Sequence, residues 1–325
     1  MSAAASALGV LNVALSNYAQ QYSNNALIGD VLAPRVPVDR QAFQYLIFDR
    51  AAQRLDRRTL RKPGGKPETI RWTSSTDKYF CDSHALDAEL PVETQAYYAG
   101  MGFDAKMKTN KTLIDKIMLD REAALAAMVA NTALFPNNLA LSGASMWDND
   151  ASSPIEAVDG YKDVIRQSGV EPTHLFLSAP VRTALRNHPE IVDRLKYTNP
   201  TGIVNDDALS TLFEVKVVPA KAVQLDVASS LTWTWGVLAV LAHIEQVSSQ
   251  MDLSPVKTFV WTSAPDTVAG YGTLEWPDPH RSTKKDWMST DMYYDMKPTG
   301  AETIQVFSNC VAAPTYATVA PPAEG

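Results

Sequence analysis

The sequence predicts an α+β fold. Three observations carry that reading. Residues 104–135, "DAKMKTNKTLIDKIMLDREAALAAMVANTALF", keep helical spacing throughout; residues 153–197 alternate helix and strand signals; and from Glu214 onward short apolar runs give β signals almost without interruption.

Taken in order, residues 2–22 place Leu8, Leu11, Leu15, Tyr18 and Tyr22 at spacings of three and four, which predicts an amphipathic helix that needs a partner surface. The start lacks a basic leader and carries Asn12, Ser16 and Asn17 inside its apolar stretch, so it reads as a helix rather than a signal peptide. In "LIGDVLAPRVPVDR", Pro34 and Pro37 oppose helix and favour an extended segment at an edge. Next, "FQYLIFD" and the alternating "TIRWT" read as strands on either side of a "KPGGKP" reversal, which predicts a long hairpin. Two strands alone are marginally stable in water, so this hairpin has to rest on something else.

The clearest helix is expected from near Asn110 to near Phe135, with Ile114, Ile117, Met118, Leu125, Met128 and Val129 on its buried stripe and Pro136 ending it. Ser153-Pro154 opens a second helix with Ile155, Val158, Tyr161 and Ile165 inward and Gly169 past its end. "THLFLSAPVRTALRNHPEIVDRLKY" reads as strand, capping Ser178, helix, a break at His188-Pro189 and another helix. Strands follow in "FEVKVVPA", "LTWTWGVLAVLAHI", "VKTFVWT", "YGTLEW" and "AETIQVFS", and "VAAPTYATVAPPAEG" closes as a loose tail.

Composition sets the limits of function. With 325 residues, 46% apolar and 20% charged, the chain has enough material for one large or two ordinary domains with packed cores. The most apolar run, "WGVLAVLAHI", is about half the roughly 18 residues that a membrane-spanning helix needs. Cys81 and Cys310 make no disulfide framework, which fits a reducing, cytoplasmic setting. The net charge is -7, yet Arg50, Arg54, Arg57, Arg58, Arg61, Lys62 and Lys66 face a single acid, Asp56, around the hairpin turn. That leaves 22 basic against 35 acidic residues elsewhere, a balance of -13. The protein is an acidic body with one basic arm.

Catalytic and phosphate-binding patterns are weak. "KPGGKPET" lacks the spacing of a P-loop, and "GYG" at 270–272 is no dinucleotide fingerprint. His84, His174, His188, His243 and His280 are scattered without metal-site spacing. Ser142-Gly-Ala-Ser145 lacks the glycine of a nucleophile elbow, and Cys81 near His84 has no orienting third group. The acids of "WDND" at 147–150 and "NDD" at 205–207 suit capping and turns better than a cation. No catalytic residue, metal or cofactor is assigned. The basic arm fits a nucleic-acid surface, a solvated face, or a contact with an acidic neighbour; the absence of interleaved aromatic residues between Arg50 and Lys66 favours the neighbour. An α/β enzyme without recognisable motif is the other alternative.

The ordered set "ALIGDVLAPRVPVDRQAFQYLIFDR", "RKPGGKPETIRWT", "YFCDSHALDAELP", "TLIDKIMLDREAALA", "LSGASMWDNDASSPIEAVDGYKDVI" and "HLFLSAPVRTALRNHPEI", spread over most of residues 24–310, resembles the major capsid proteins of tailed bacteriophages with the Hong Kong type shell fold. The resemblance implies an N-terminal arm (1–40), an extended loop reaching over a neighbouring subunit (41–95), and a peripheral domain (96–154 and 281–310) that includes a spine helix (110–135). It further implies an axial domain (155–280) and a flexible tail (311–325). The implied function is self-assembly, as pentamers and hexamers, into an icosahedral shell around packaged double-stranded DNA, with no enzymatic activity. The seven basic arm residues would then be a subunit interface. Implied partners are other copies of the chain, a separate scaffold protein, a portal and a decoration protein, with weak non-specific DNA contact and no membrane; assembly would take place in the host bacterial cytoplasm. Some members cross-link subunits through Lys–Asn bonds, but no partner Asn or catalytic Glu for Lys62 or Lys66 is recognisable.

Overall fold

The computed structural model describes residues 10–47, 60–61, 63–66, 75–196, 204–225, 231–245, 249, 252–278 and 284–312. The described residues start with β1 (Val10–Leu11) and α1 (Val13–Gln21); Leu8 lies outside them, and the first helix does not run through Leu11. Its boundary has a local cause: the Asn12 side chain accepts from the Leu15 N–H at 3.1 Å, while Val10 and Leu11 pair with Glu275 and Leu274. Next come α2 (Gly29–Leu32) and β2 (Arg35–Val38). Pro37 is tolerated because β2 is an edge strand, where a missing N–H breaks no central ladder.

β3 (Ala42–Ile47) and β4 (Ser75–Phe80) form the base of the expected hairpin; "TIRWT" lies outside the described residues. They lead into β5 (Asp82–Pro91), α3 (Val92–Gly100) and α4 (Ala105–Ala130). The long helix has 26 residues, about 39 Å at 1.5 Å each, but begins and ends five residues earlier than the spacing suggested. Asp104 caps it, accepting from Lys106 N at 2.9 Å and Met107 N at 3.3 Å. At the other end the Asn131 side chain accepts from Ala133 N and turns the chain away before Phe135.

Beyond it lie β6 (Asn138–Ala140), α5 (Pro154–Arg166), β7 (His174–Ser178), α6 (Ala179–Asn187), α7 (Pro189–Leu195) and α8 (Asp206–Phe213). Ser178 precedes α6 without capping it; its hydroxyl is buried with no partner among the described residues. The remaining strands are β8 (Lys216–Ala220), β9 (Val223–Leu225), β10 (Leu231–Trp233), β11 (Ala239–Ala242), β12 (Val256–Trp261), β13 (Tyr271–Pro277), β14 (Lys285–Pro298) and β15 (Ile304–Ser308).

Two sheets organise these elements. The first runs β1-β13-β14-β12-β2, with β5 also paired to β14; the second runs β6-β15-β11-β7-β8. The sheets divide the chain elsewhere than at residues 155 and 280: β12 and β13 belong to the first, and β15 to the second, because β14 pairs with both β12 and β13 while β15 pairs with β11. Helix α4 lies in the core they share, where Ile114, Met118 and Leu125 join Val256 and Tyr271 of the first sheet and Phe176 and Val306 of the second. Alternate residues of β7, Leu175 and Leu177, face the opposite way and pack with Ile155, Val158 and Ile165 of α5 and with Leu185 and Leu209. Burying each such side chain contributes roughly 1.5–3 kcal/mol.

Asn110, expected at the helix start, is fully buried inside α4. Its amide donates to the Leu15 carbonyl at 3.2 Å and its oxygen accepts from the Thr273 and Thr290 hydroxyls at 3.1 and 2.8 Å, which joins α1, α4, β13 and β14. Asn110→Ala strands all three partners in the core and should lower the unfolding free energy in urea by about 2–4 kcal/mol, since each buried polar group left unpaired costs about 1–3 kcal/mol. Thr112→Ala, on the exposed side of the same helix, should change it by less than about 0.5 kcal/mol. Equal effects of the two substitutions would refute the assignment.

Candidate assembly interface

The hairpin is anchored by one face of its base. Ala42 to Ile47 pair in antiparallel register with Phe80 to Ser75, so the β alternation puts Phe43, Tyr45, Ile47, Asp77 and Tyr79 on one side. Phe259 of β12 lies beneath: the Tyr79 ring stacks on it with centroids 4.6 Å apart and the Tyr45 ring tilts against it at 5.3 Å. Val36, Val38 and Cys81 complete this small core. The Tyr45 hydroxyl is within hydrogen-bond distance of the Asp77 carboxylate and the Pro298 carbonyl, and Phe80 N donates to Asp295 at 2.9 Å. Burial and the Asp77 charge push the Tyr45 phenol well above its ordinary range, so it stays a neutral donor.

At the far end Leu60 is 90% exposed, and Arg61 and Lys66 are exposed on either side of a Pro63-Gly64 turn in which Gly64 takes a φ of +80°. Glycine adopts that conformation without steric cost. Of the seven basic arm residues, Arg61 and Lys66 are the two described; Arg50, Arg54, Arg57, Arg58 and Lys62 lie outside the described residues.

A buried polar junction ties residues 28–35 and Trp235 to the middle of α4. Glu122, in the middle of α4, accepts from Ile28 N at 3.0 Å, Gly29 N at 2.7 Å and the Trp235 indole N–H at 2.6 Å. It caps α2, whose first N–H groups have no partner inside the helix. Next to it Arg121 pairs with Asp30, whose carboxylate also takes Arg35 at 2.8 and 2.7 Å, and Arg35 donates to the Tyr271 hydroxyl at 2.6 Å. Gly29 is required by proximity: a Cβ there would lie 2.6 Å from the Glu122 carboxylate. The signal was present in the sequence, because Met118, Arg121, Glu122 and Leu125 share one helical face, and two charges on a buried stripe demand partners.

The weak catalytic patterns dissolve into structure. Burial, with the Asp295 charge behind it, pushes the Cys81 thiol up to about 12, so it is no thiolate nucleophile, and the His84 ring stacks on Tyr294 with centroids 4.1 Å apart. Burial, with Lys216 and His243 nearby, holds His174 neutral by lowering it to about 4. The His188 ring caps α7 by accepting from Glu190 N at 3.3 Å. Ser142 and Ser145 close a short turn on each other. Asn205 caps α8, Asp206 pairs with Arg182 at 2.6 Å, and Asp148 accepts from Ala312 N. His280 lies outside the described residues. Among the described residues no His, Cys, Asp or Glu cluster suits a metal, and no helix is long and apolar enough to cross a membrane.

Two sheets sharing one long helix, with a basic-tipped hairpin set on the first, define the Hong Kong type shell fold. Solved structures agree on the fold. A phage-related protein from Bordetella bronchiseptica RB50 matches with a TM-score of 0.74 and 22% identity over 93% of this chain and 98% of that one. The capsid of cyanophage P-SCSP1u matches at 0.59 with 9% identity over 89% of each chain, and the capsid of a native GTA particle at 0.52 with 15% identity over 88% and 90%. Sequence supplies the family. The major capsid protein of Pseudomonas phage JBD67 is 30% identical over 235 residues, 68% of this chain and 73% of its own; that of Burkholderia phage BcepMu is 29% identical over 251 residues, 74% and 78%. No family model matches the chain. The chain belongs to the phage major capsid protein family.

The two junction carboxylates titrate in opposite senses. Burial acts to raise Asp30, but the Arg121 and Arg35 charges outweigh it and hold the carboxyl below its ordinary value; burial of Glu122 outweighs its three hydrogen bonds and Arg121 and raises it. Asp30 therefore contributes stability that is present above its unfolded value of about 3.9 and lost as pH falls through the folded one, whereas the Glu122 contribution is present below about 4.3 and lost as pH rises through its folded value. In Asp30→Asn, the buried Arg121 loses its counter-charge, so stability at pH 7 should fall by about 3 kcal/mol. Its decline below pH about 4 should be shallower than in the wild type. Parallel stability–pH curves for the two proteins would contradict this assignment.

Proposed function

We propose that the chain self-assembles, as pentamers and hexamers, into the icosahedral head shell of a tailed phage, and that the hairpin arm is the contact that locks one copy to the next. The observation that carries this reading is the hairpin itself: a base fixed on Phe259, a tip with Arg61 and Lys66 exposed, and an acidic balance of 22 basic against 35 acidic residues outside the arm. Opposite charges across an interface fix register and speed docking more than they add affinity. Many weak contacts suffice in a closed shell, since every copy touches several others and apolar burial contributes about 25 cal/mol per Å².

In this reading residues 1–40 are the N-terminal arm and 41–95 the extended loop; the tail expected at 311–325 does not begin at 311, because Val311 is buried with the core around α5 and Ala312 N donates to Asp148. The first sheet with α4 serves as the peripheral domain and the second sheet with α5 to α8 as the axial domain. The chain acts as a structural protein and not an enzyme; it encloses double-stranded DNA and meets it weakly, because a net charge of -7 repels phosphate. A separate scaffold protein, a portal and a decoration protein are its further partners, and assembly takes place in the bacterial cytoplasm.

Electron microscopy of the purified protein tests the function: uniform shells or ring-shaped capsomers are expected, and a small monodisperse oligomer that binds DNA would contradict it. For the arm, the triple variant Arg57→Glu, Arg58→Glu, Arg61→Glu should remain folded by circular dichroism yet form no shells. Normal shells from that variant would remove the arm from the interface.

A further inference from the structure

The nine-residue helix α3 has no buried residue. Helices shorter than about 12–15 residues are marginal in water and depend on packing an apolar face. Inside the chain α3 is tied mainly by polar contacts: the Gln95 amide donates to the Leu90 carbonyl at 3.1 Å and to Asp286 at 2.9 Å, and the Lys108 ammonium sits 4.5 Å from the Tyr98 ring centroid. Its apolar side chains point elsewhere. Tyr97 and Met101, four apart on one face, are 65% and 55% exposed; Phe103 and Met107, where the chain reverses into α4, are 64% and 47% exposed.

Together these four expose on the order of 500 Å² of largely apolar surface, near the upper limit for a monomer's largest patch. A standard interface covers about 800 Å² per partner, so the patch is the right size for one of several contacts rather than for a tight dimer on its own. Its chemistry is that of an interface centre, where Tyr, Phe and Met are enriched. Beside it Lys108 and Lys111 are exposed on the first turns of α4, while Lys106 is paired with Glu275 at 2.5 Å. An apolar patch flanked by the exposed Lys108 and Lys111, on a protein of net charge -7, suits the acidic surface of another copy of the same chain.

We infer that Tyr97, Met101, Phe103 and Met107 form a second contact between copies, separate from the hairpin arm, which docks on an acidic face of a neighbouring subunit. The inference rests on the self-assembly reading. The full-length protein is labelled by hydroxyl radicals as assembled particles and as dissociated subunits, with the four side chains quantified by mass spectrometry. Labelling should drop at least fivefold in particles. In parallel, Tyr97→Ser with Phe103→Ser should raise the concentration needed for assembly at least tenfold without moving the circular dichroism spectrum or melting temperature, whereas Tyr97→Phe with Phe103→Tyr should assemble as the wild type does. Equal labelling in both states, or wild-type assembly of the double serine variant, overturns the contact while leaving the shell function standing. Protection that appears only when another phage protein is added overturns it in favour of that partner. Failure of the wild-type chain to form particles removes both readings.

Discussion

One buried carboxylate holds the molecule's separate parts in register. Glu122 receives two backbone N–H groups from residues 28–29 and the indole N–H of Trp235, so the N-terminal segment, the long helix and the chain leading into β11 meet at a single group. Removing a carboxylate from water is costly, and the three donors that fill its lone pairs offset part of that cost. The Arg121–Asp30–Arg35 set beside it extends the grip to Tyr271 in the first sheet. Because hydrogen bonds are directional where apolar contacts are not, this junction fixes how the two sheets sit on α4 to a degree that a purely apolar seam would leave looser.

The same logic recurs in the core. Lys257 is fully buried on β12 and spans 2.9 Å to both the carboxylate and the carbonyl of Asp252, and burial outweighs that pairing enough to lower the lysine below its usual range. Such groups gain little net stability over apolar residues of the same shape. They penalise every arrangement in which their partners are absent. A body with one arrangement keeps the hairpin base and the exposed helix α3 in fixed relative positions.

Much of this was legible in the sequence, and the failures have physical causes. The α+β class, the long helix and the α5 stripe follow from period, which acts locally; the strand paired with β3 is Ser75–Phe80, whereas the expected "TIRWT" lies outside the described residues. The helix begins before the expected position near Asn110 because Asp104 caps it, and the Leu15 carbonyl and two threonine hydroxyls hold Asn110 inside it. The first helix was overextended because Leu11 fits a helical stripe as well as it fits the strand beside β13. Strand partners were not legible at all: nothing local in "TIQVFS" says that it pairs with β11 rather than with β14. The charge asymmetry of the basic arm is visible in composition alone, while the exposure of the α3 surface is not, since an exposed Tyr and an inward Tyr look the same until burial is known.

Residues 28–35 are part of the rigid body rather than a loosely attached strap. Amide hydrogen exchange at Ile28 and Gly29 in the intact protein measures that directly. Held by Glu122, both should exchange as slowly as the centre of α4, through global unfolding. Exchange at the rate of a fraying terminus while α4 stays protected would mean that the junction does not hold, and the fixed geometry inferred from it would fall with it.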